Sequence, residues 1–151
     1  MIKIICLGKI KEKFYQEAIK EYTKRLSKYT KLQIIELQDE KDNDVKTCLK
    51  KEKDLILKHI KEKDNIVLLD INGTELNSKD FSNYINNELS NYSNITFIIG
   101  SSNGLDEEIK SITSKKISFS KMTFPHQLFR IILLEQIYRS FKIINNESYH
   151  K

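Results

Sequence analysis

The chain has 151 residues, with 39% hydrophobic and 31% charged side chains, one Pro and four Gly. That is ordinary globular composition, enough for one domain with one core, and it excludes long disordered tracts and a flexible interdomain linker. No apolar run is long enough to span a bilayer, and two cysteines without metal or redox spacing suggest reduced thiols, so a cytoplasmic protein without a membrane partner is expected.

The net charge of +5 is unevenly spread. Residues 1–60 hold 15 basic and 10 acidic side chains, residues 61–108 hold 3 and 9, and residues 109–151 hold 8 and 2. Two basic ends flank an acidic middle. The ends suit a polyanion such as RNA, although lysine-solvated surfaces would give the same tally.

Strand and helix patterns alternate from end to end. Ile2–Leu7 is short, apolar and β-branched, and Gly8 follows it. Glu12–Tyr29 reads as an amphipathic helix with Phe14, Ala18, Ile19, Tyr22 and Leu26 on one side. Leu32–Leu37 is a second strand, and Val45–Ile60 a helix with Val45, Leu49, Ile56 and Ile60 inward. Asn65–Ile71 is a third strand, after which Asn72-Gly73 is expected to turn the chain. Asn77 or Ser78 caps a helix running through Leu89. Ile95–Ile99 is a fourth strand, residues 100–104 a loop, and Leu105–Ile112 a short helix. Lys115–Phe119 is a fifth strand, and Pro125 opens a helix to about Ile144.

Five strands alternating with helices imply an α/β fold: a mostly parallel sheet with helices on both faces, in a single domain over residues 1–151. Ligands of such sheets bind beyond the carboxyl ends of the strands, here the segments after Asp70, Ile99 and Phe119. In the last helix nine of the fourteen residues from Leu128 to Phe141 are apolar or aromatic. That is too many for one stripe, so a homodimer through this helix is expected, with burial inside the monomer as the alternative.

The chain has no P-loop, no Gly-x-Gly-x-x-Gly after a strand, and no His/Cys cluster with metal spacing, so no metal is expected. What remains is three strand-end loops. They are Leu68-Leu69-Asp70-Ile71-Asn72-Gly73, Ile98-Ile99-Gly100-Ser101-Ser102-Asn103-Gly104-Leu105 and Phe119-Ser120-Lys121-Met122-Thr123-Phe124-Pro125-His126. Main-chain groups in such loops hydrogen-bond an adenine edge while apolar side chains sandwich the ring; each loop taken singly also reads as an ordinary tight turn.

The order of these segments, with Arg130, Glu135-Gln136-Ile137-Tyr138-Arg139 and the terminal Tyr149-His150-Lys151, resembles the RlmH (YbeA-like) family of SPOUT 23S rRNA pseudouridine methyltransferases along the whole chain. The resemblance implies a C-terminal trefoil knot and S-adenosyl-L-methionine as cofactor, held by Leu69, Gly100, Phe119, Ser120, Lys121, Met122, Thr123 and Phe124. It also implies a homodimer acting on N3 of a helix 69 pseudouridine in 23S rRNA, within the assembled ribosome. His126, Arg130, Tyr149 and His150 are the residues it places at the reacting centre. His126 or His150 would lie near the target base, with a helix-start role the alternative for His126. Arg130 would hold the cofactor carboxylate or a phosphate, or else form an interface ion pair. Tyr149 would stack on a base, with a disordered tail the alternative. Lys9, Lys11, Lys13, Lys115, Lys116 and Lys142 are candidates for phosphate contacts. The competing expectation is a non-catalytic RNA-binding dimer of the same fold. One departure is Ser101, where the family usually has a second Gly; a φ above zero there would strain Ser.

Overall fold

The computed structural model describes residues 1–149. The strands are β1 (Ile2–Leu7), β2 (Leu32–Leu37), β3 (Ile66–Glu75), β4 (Ile95–Ile99) and β5 (Lys116–Ser118). The helices are α1 (Lys13–Leu26), α2 (Val45–Leu57), α3 (Ser78–Asn91), α4 (Glu107–Ser111) and α5 (His126–Ile144). The strands form one sheet in the order β2-β1-β4-β3-β5, and every pairing is parallel.

Period-two alternation divides the strand side chains between two cores. Ile2, Ile4 and Cys6 of β1, Val67 and Leu69 of β3, and Ile95, Phe97 and Ile99 of β4 face one layer. There they meet Leu26 of α1, Phe81 and Ile85 of α3, and Leu133, Leu134, Ile137 and Phe141 of α5. Ile5, Leu7, Leu68 and Ile98 face the other layer with Ile56 of α2 and Ile109 of α4. Fully burying each such aliphatic side chain contributes about 1.5–3 kcal/mol, so this two-sided core is the main source of stability.

Local chemistry sets the helix starts. The Asp44 carboxylate accepts from the N–H groups of Lys46 and Thr47 at the head of α2. The Asn77 side chain accepts from Asp80 N–H at 2.8 Å and caps α3, and Asp106 caps α4 through Glu108 N–H. Asp80 in the first turn of α3 suits the helix dipole.

Three expectations are corrected. Asn72-Gly73 does not end β3; the strand continues to Glu75 and pairs again with β5 after an irregularity between Leu69 and Thr74. Gly73 is required by that close passage, because a Cβ there would lie 2.7 Å from the Ile117 backbone. Helical periodicity places Phe14 and Val45 inward, but they are 60% and 48% exposed, since each sits in the first turn of its helix, beyond the edge of the core. The helices α1, α2 and α4 are also shorter than their apolar patterns suggested.

Helix α5 lies between α1 and α3 and buries Arg130, Leu133, Leu134, Ile137, Ser140 and Phe141. Leu128, Ile131 and Ile132 lie on its partly exposed side. Among the described residues no helix is long and apolar enough to cross a membrane.

Candidate active site

The carboxyl ends of β3, β4 and β5 converge on a cleft of about 570 Å³. That lies within the range of about 300–1,000 Å³ common for small-molecule and cofactor sites. All three strand-end loops singled out in the sequence line it. So do Leu69, Gly100, Phe119, Ser120, Met122, Thr123 and Phe124 of the eight expected cofactor residues.

The eighth, Lys121, turns away from the wall. Its ammonium lies 3.5 Å from the Glu75 carboxylate and 3.4 Å from the Ile71 carbonyl. Its side chain is mostly exposed, so it fastens the β5 loop to the extended end of β3.

Each loop is shaped by its own polar contacts. In the first, Asn72 N–H donates to the Asp70 carboxylate at 2.8 Å, a turn made by the side chain. In the third, Ser118 Oγ donates to the Ser120 carbonyl at 3.0 Å, and Met122 N–H donates to Ser120 Oγ at 2.9 Å. In the second, the chain doubles back so closely that a Cβ on Gly100 would lie 2.4 Å from the Gly104 carbonyl oxygen. Gly104 itself has φ +84°, a conformation that favours glycine. Ser101 does not take a positive φ, so its departure from Gly introduces no backbone strain. Its hydroxyl instead donates to Glu52 at 2.9 Å.

An aromatic chain runs from the core to the cleft. Phe97 meets Phe81, Phe81 meets Phe119, and Phe119 meets Phe129 at 5.2 Å between ring centroids. Phe129 then stacks on Phe124 at 6.2 Å. Such contacts fix the apolar wall that a flat ring would lie against. Phe124 and Met122 remain 37% and 74% exposed at the mouth. Phe129 of α5 and Lys110 of α4 also line the cleft. Sequence reasoning missed both because they lie outside the strand-end loops; the aromatic spacing of Phe119, Phe124 and Phe129 was the available signal for the first.

His126 opens α5 and lines the cleft. Gly8, at φ +83°, passes so close that a Cβ on it would lie 3.0 Å from His126 Nε2. Burial, and then the neighbouring Arg130 charge, hold the imidazole pKa below its ordinary value. The ring is therefore neutral at neutral pH and able to take up a proton.

Arg130 occupies a different place from the one the resemblance implied. It is 1% exposed, and its guanidinium donates to Glu36 at 2.7 Å, to the Leu7 carbonyl at 2.7 Å and to the Gly8 carbonyl. Those bonds tie the end of β1 to α5 and turn the guanidinium toward the protein instead of into the cleft. Tyr149 folds back on α5, where its hydroxyl is 3.2 Å from the Glu135 carboxylate and its ring packs edge-on against Tyr138. His150 lies outside the described residues.

The lysines divide likewise. Lys115 is paired with Glu88 at 2.6 Å and donates to Asn65, at the amino end of the sheet, and Lys142 is paired with Glu147. Lys9, Lys11 and Lys13 are exposed beside the end of β1. Lys11 N–H there accepts support from α5 by donating to Gln127 Oε1 at 3.0 Å.

A parallel α/β sheet with a cleft built by three loops at its carboxyl edge defines a ligand-binding enzyme fold. The family model described as "Predicted SPOUT methyltransferase" matches residues 1–150, and the chain belongs to that family. It is therefore of a class that moves a methyl group from a donor. It is 52% identical to the ribosomal RNA large subunit methyltransferase H of Caldicellulosiruptor saccharolyticus, over the full length of both chains. The proteins of the same name from Clostridium tetani and Clostridium botulinum are each 53% identical, with 99% of both chains covered.

Proposed function

We propose that this chain transfers a methyl group from S-adenosyl-L-methionine to N3 of a helix 69 pseudouridine in 23S rRNA, as a homodimer acting on the ribosome. The observation that carries the reading is the cleft itself. Its aromatic and aliphatic wall and its main-chain-rich loops suit an adenosine group, and its volume accommodates one. The names of the relatives support ribosomal RNA as the substrate.

The donor, when bound, supplies an already activated methyl on a sulfonium centre. The protein's part is to orient donor and acceptor and to remove the N3 proton. Leu69, Phe119 and Phe129 would hold the apolar part of the donor, and the main-chain groups of residues 100–104 and 120–124 would offer it hydrogen bonds. His126, kept neutral by burial and by Arg130, takes the proton from N3. Arg130 acts at one remove, by holding the Leu7 and Gly8 carbonyls and so the backbone that packs against His126.

Lys9, Lys11 and Lys13 meet phosphates beside the cleft. Leu128, Ile131 and Ile132 give the dimer its apolar contact on the open side of α5, where Tyr149 also lies. Knotting of the C-terminal segment, as the family resemblance implies, would bring the β4 and β5 loops together around the donor.

Mass spectrometry of 23S rRNA from cells lacking the gene tests the reading. One methyl should be missing from a helix 69 pseudouridine and restored by the intact gene. Unchanged methylation would reject it.

A further inference from the structure

The loop after β4 has a support that lies outside the cleft. Glu52 on α2 is a carboxylate with 1% exposure. An unpaired carboxylate in such a place is strongly unfavourable, so its partners indicate its purpose. One oxygen accepts from Glu40 N–H at 3.1 Å, in the connection between β2 and α2. The other accepts from Ser101 Oγ at 2.9 Å, directly after Gly100.

Ser101 in turn organises the whole loop. Its hydroxyl oxygen accepts from Asn103 N–H at 3.3 Å, and its carbonyl accepts from Gly104 N–H at 3.0 Å. Ser101 lines the cleft, whereas Glu52 does not. Burial, with the nearby Asp39 and Glu40 carboxylates, raises the Glu52 pKa, and the bonds from Glu40 N–H and Ser101 work against that rise, so the contact ties a short loop to α2 by meeting the needs of a buried carboxyl group. Packing of α2 against the sheet would be served as well by an aliphatic residue of the same size. The carboxylate is explained by the donors it gathers.

We propose that Glu52 is a positioning residue for methyl transfer. Through Ser101 it holds the Gly100–Gly104 loop in the shape that the methyl donor meets. The proposal rests on the reading of the cleft as the donor site.

Calorimetry with S-adenosyl-L-methionine, thermal melting and kcat at saturating donor are compared for the unaltered chain, Ser101→Ala and Glu52→Gln. Ser101→Ala loses the bond to Glu52 and the one from Asn103 N–H, and leaves one Glu52 oxygen without its donor, so its Kd for the methyl donor should rise about tenfold and its melting temperature should fall. Glu52→Gln still accepts from Glu40 and can donate to Ser101 Oγ, so its affinity should stay within about threefold of the original. Equal donor affinity in Ser101→Ala, or a loss confined to kcat, overturns the proposal and leaves the cleft reading intact. Failure of the unaltered chain to bind the donor overturns both.

Discussion

The two ends of the sheet treat polar groups in opposite ways. At the amino end, Lys3 is paired with Asp64, and Asp64 also accepts from Asn94 and from Lys61 N–H. Asn65 and Lys115 share Glu88. This network closes on itself and joins the starts of β1, β3 and β4. At the carboxyl end the loops are shaped by bonds within themselves and by outward ties, Ser101 to Glu52 and Lys121 to Glu75, while Met122, Phe124 and His126 line the cleft. The amino end uses its charges to hold strands together; the carboxyl end uses the Arg130–Glu36 pair beneath the cleft and otherwise holds its loop backbone so that a surface stays open. A parallel sheet with both faces covered has only its ends for ligand binding, and here the ends have separate tasks.

The sharpest way to break that division is at the amino end. Lys3→Met leaves Asp64 buried without its cation and should destabilise the fold by about 3–5 kcal/mol. Denaturant unfolding measures this, and donor affinity per folded molecule should not change. Burial alone would raise the Asp64 pKa, but Lys3, the Lys61 N–H and Asn94 draw it below its ordinary value. Its stabilisation is therefore fully present above the usual carboxylate range and is lost as pH falls through the lowered value.

The next test lies at the carboxyl end. His126→Ala should lower kcat by about a hundredfold, the scale of one general base, with the fold and donor binding kept. Because the imidazole pKa lies below its ordinary value, the acid limb of the unaltered enzyme's pH–rate profile should fall on the acid side of about 6.5, and the variant should lose that limb. An unchanged single-turnover rate would remove His126 from the chemistry. The smallest effect is expected away from both ends: Asp44→Ala removes the cap of α2 and should lower stability by about 1 kcal/mol, by thermal melting, without touching rate.

Much of this was legible in the sequence. The alternation of apolar residues in β1, β3 and β4 placed the sheet, and the glycine-bearing strand ends located the cleft. What escaped reading depends on partners distant in the chain. Asn72-Gly73 has the local form of a turn, yet Gly73 is small because β5 passes it 44 residues later in the chain, at Ile117. Arg130 looks like a ligand for an anion until Glu36 and the Leu7 and Gly8 carbonyls are brought beneath it. Glu52 reads as one more charge on a helix, and only folding brings it to Ser101. Helical periodicity likewise placed Phe14 inward, because it reports a face and not how far the core beneath it extends.

The central claim is that the loops at the carboxyl end form the methyl-donor site. Calorimetric titration of S-adenosyl-L-methionine into the intact chain and into Gly100→Ala tests it most directly. The added Cβ would meet the Gly104 carbonyl oxygen at 2.4 Å and must push the loop apart. The account predicts saturable binding by the intact chain and an affinity weakened about a hundredfold, a penalty of the size overpacking brings, in a variant that still folds. Equal binding by the two, or none by the intact chain, would contradict it.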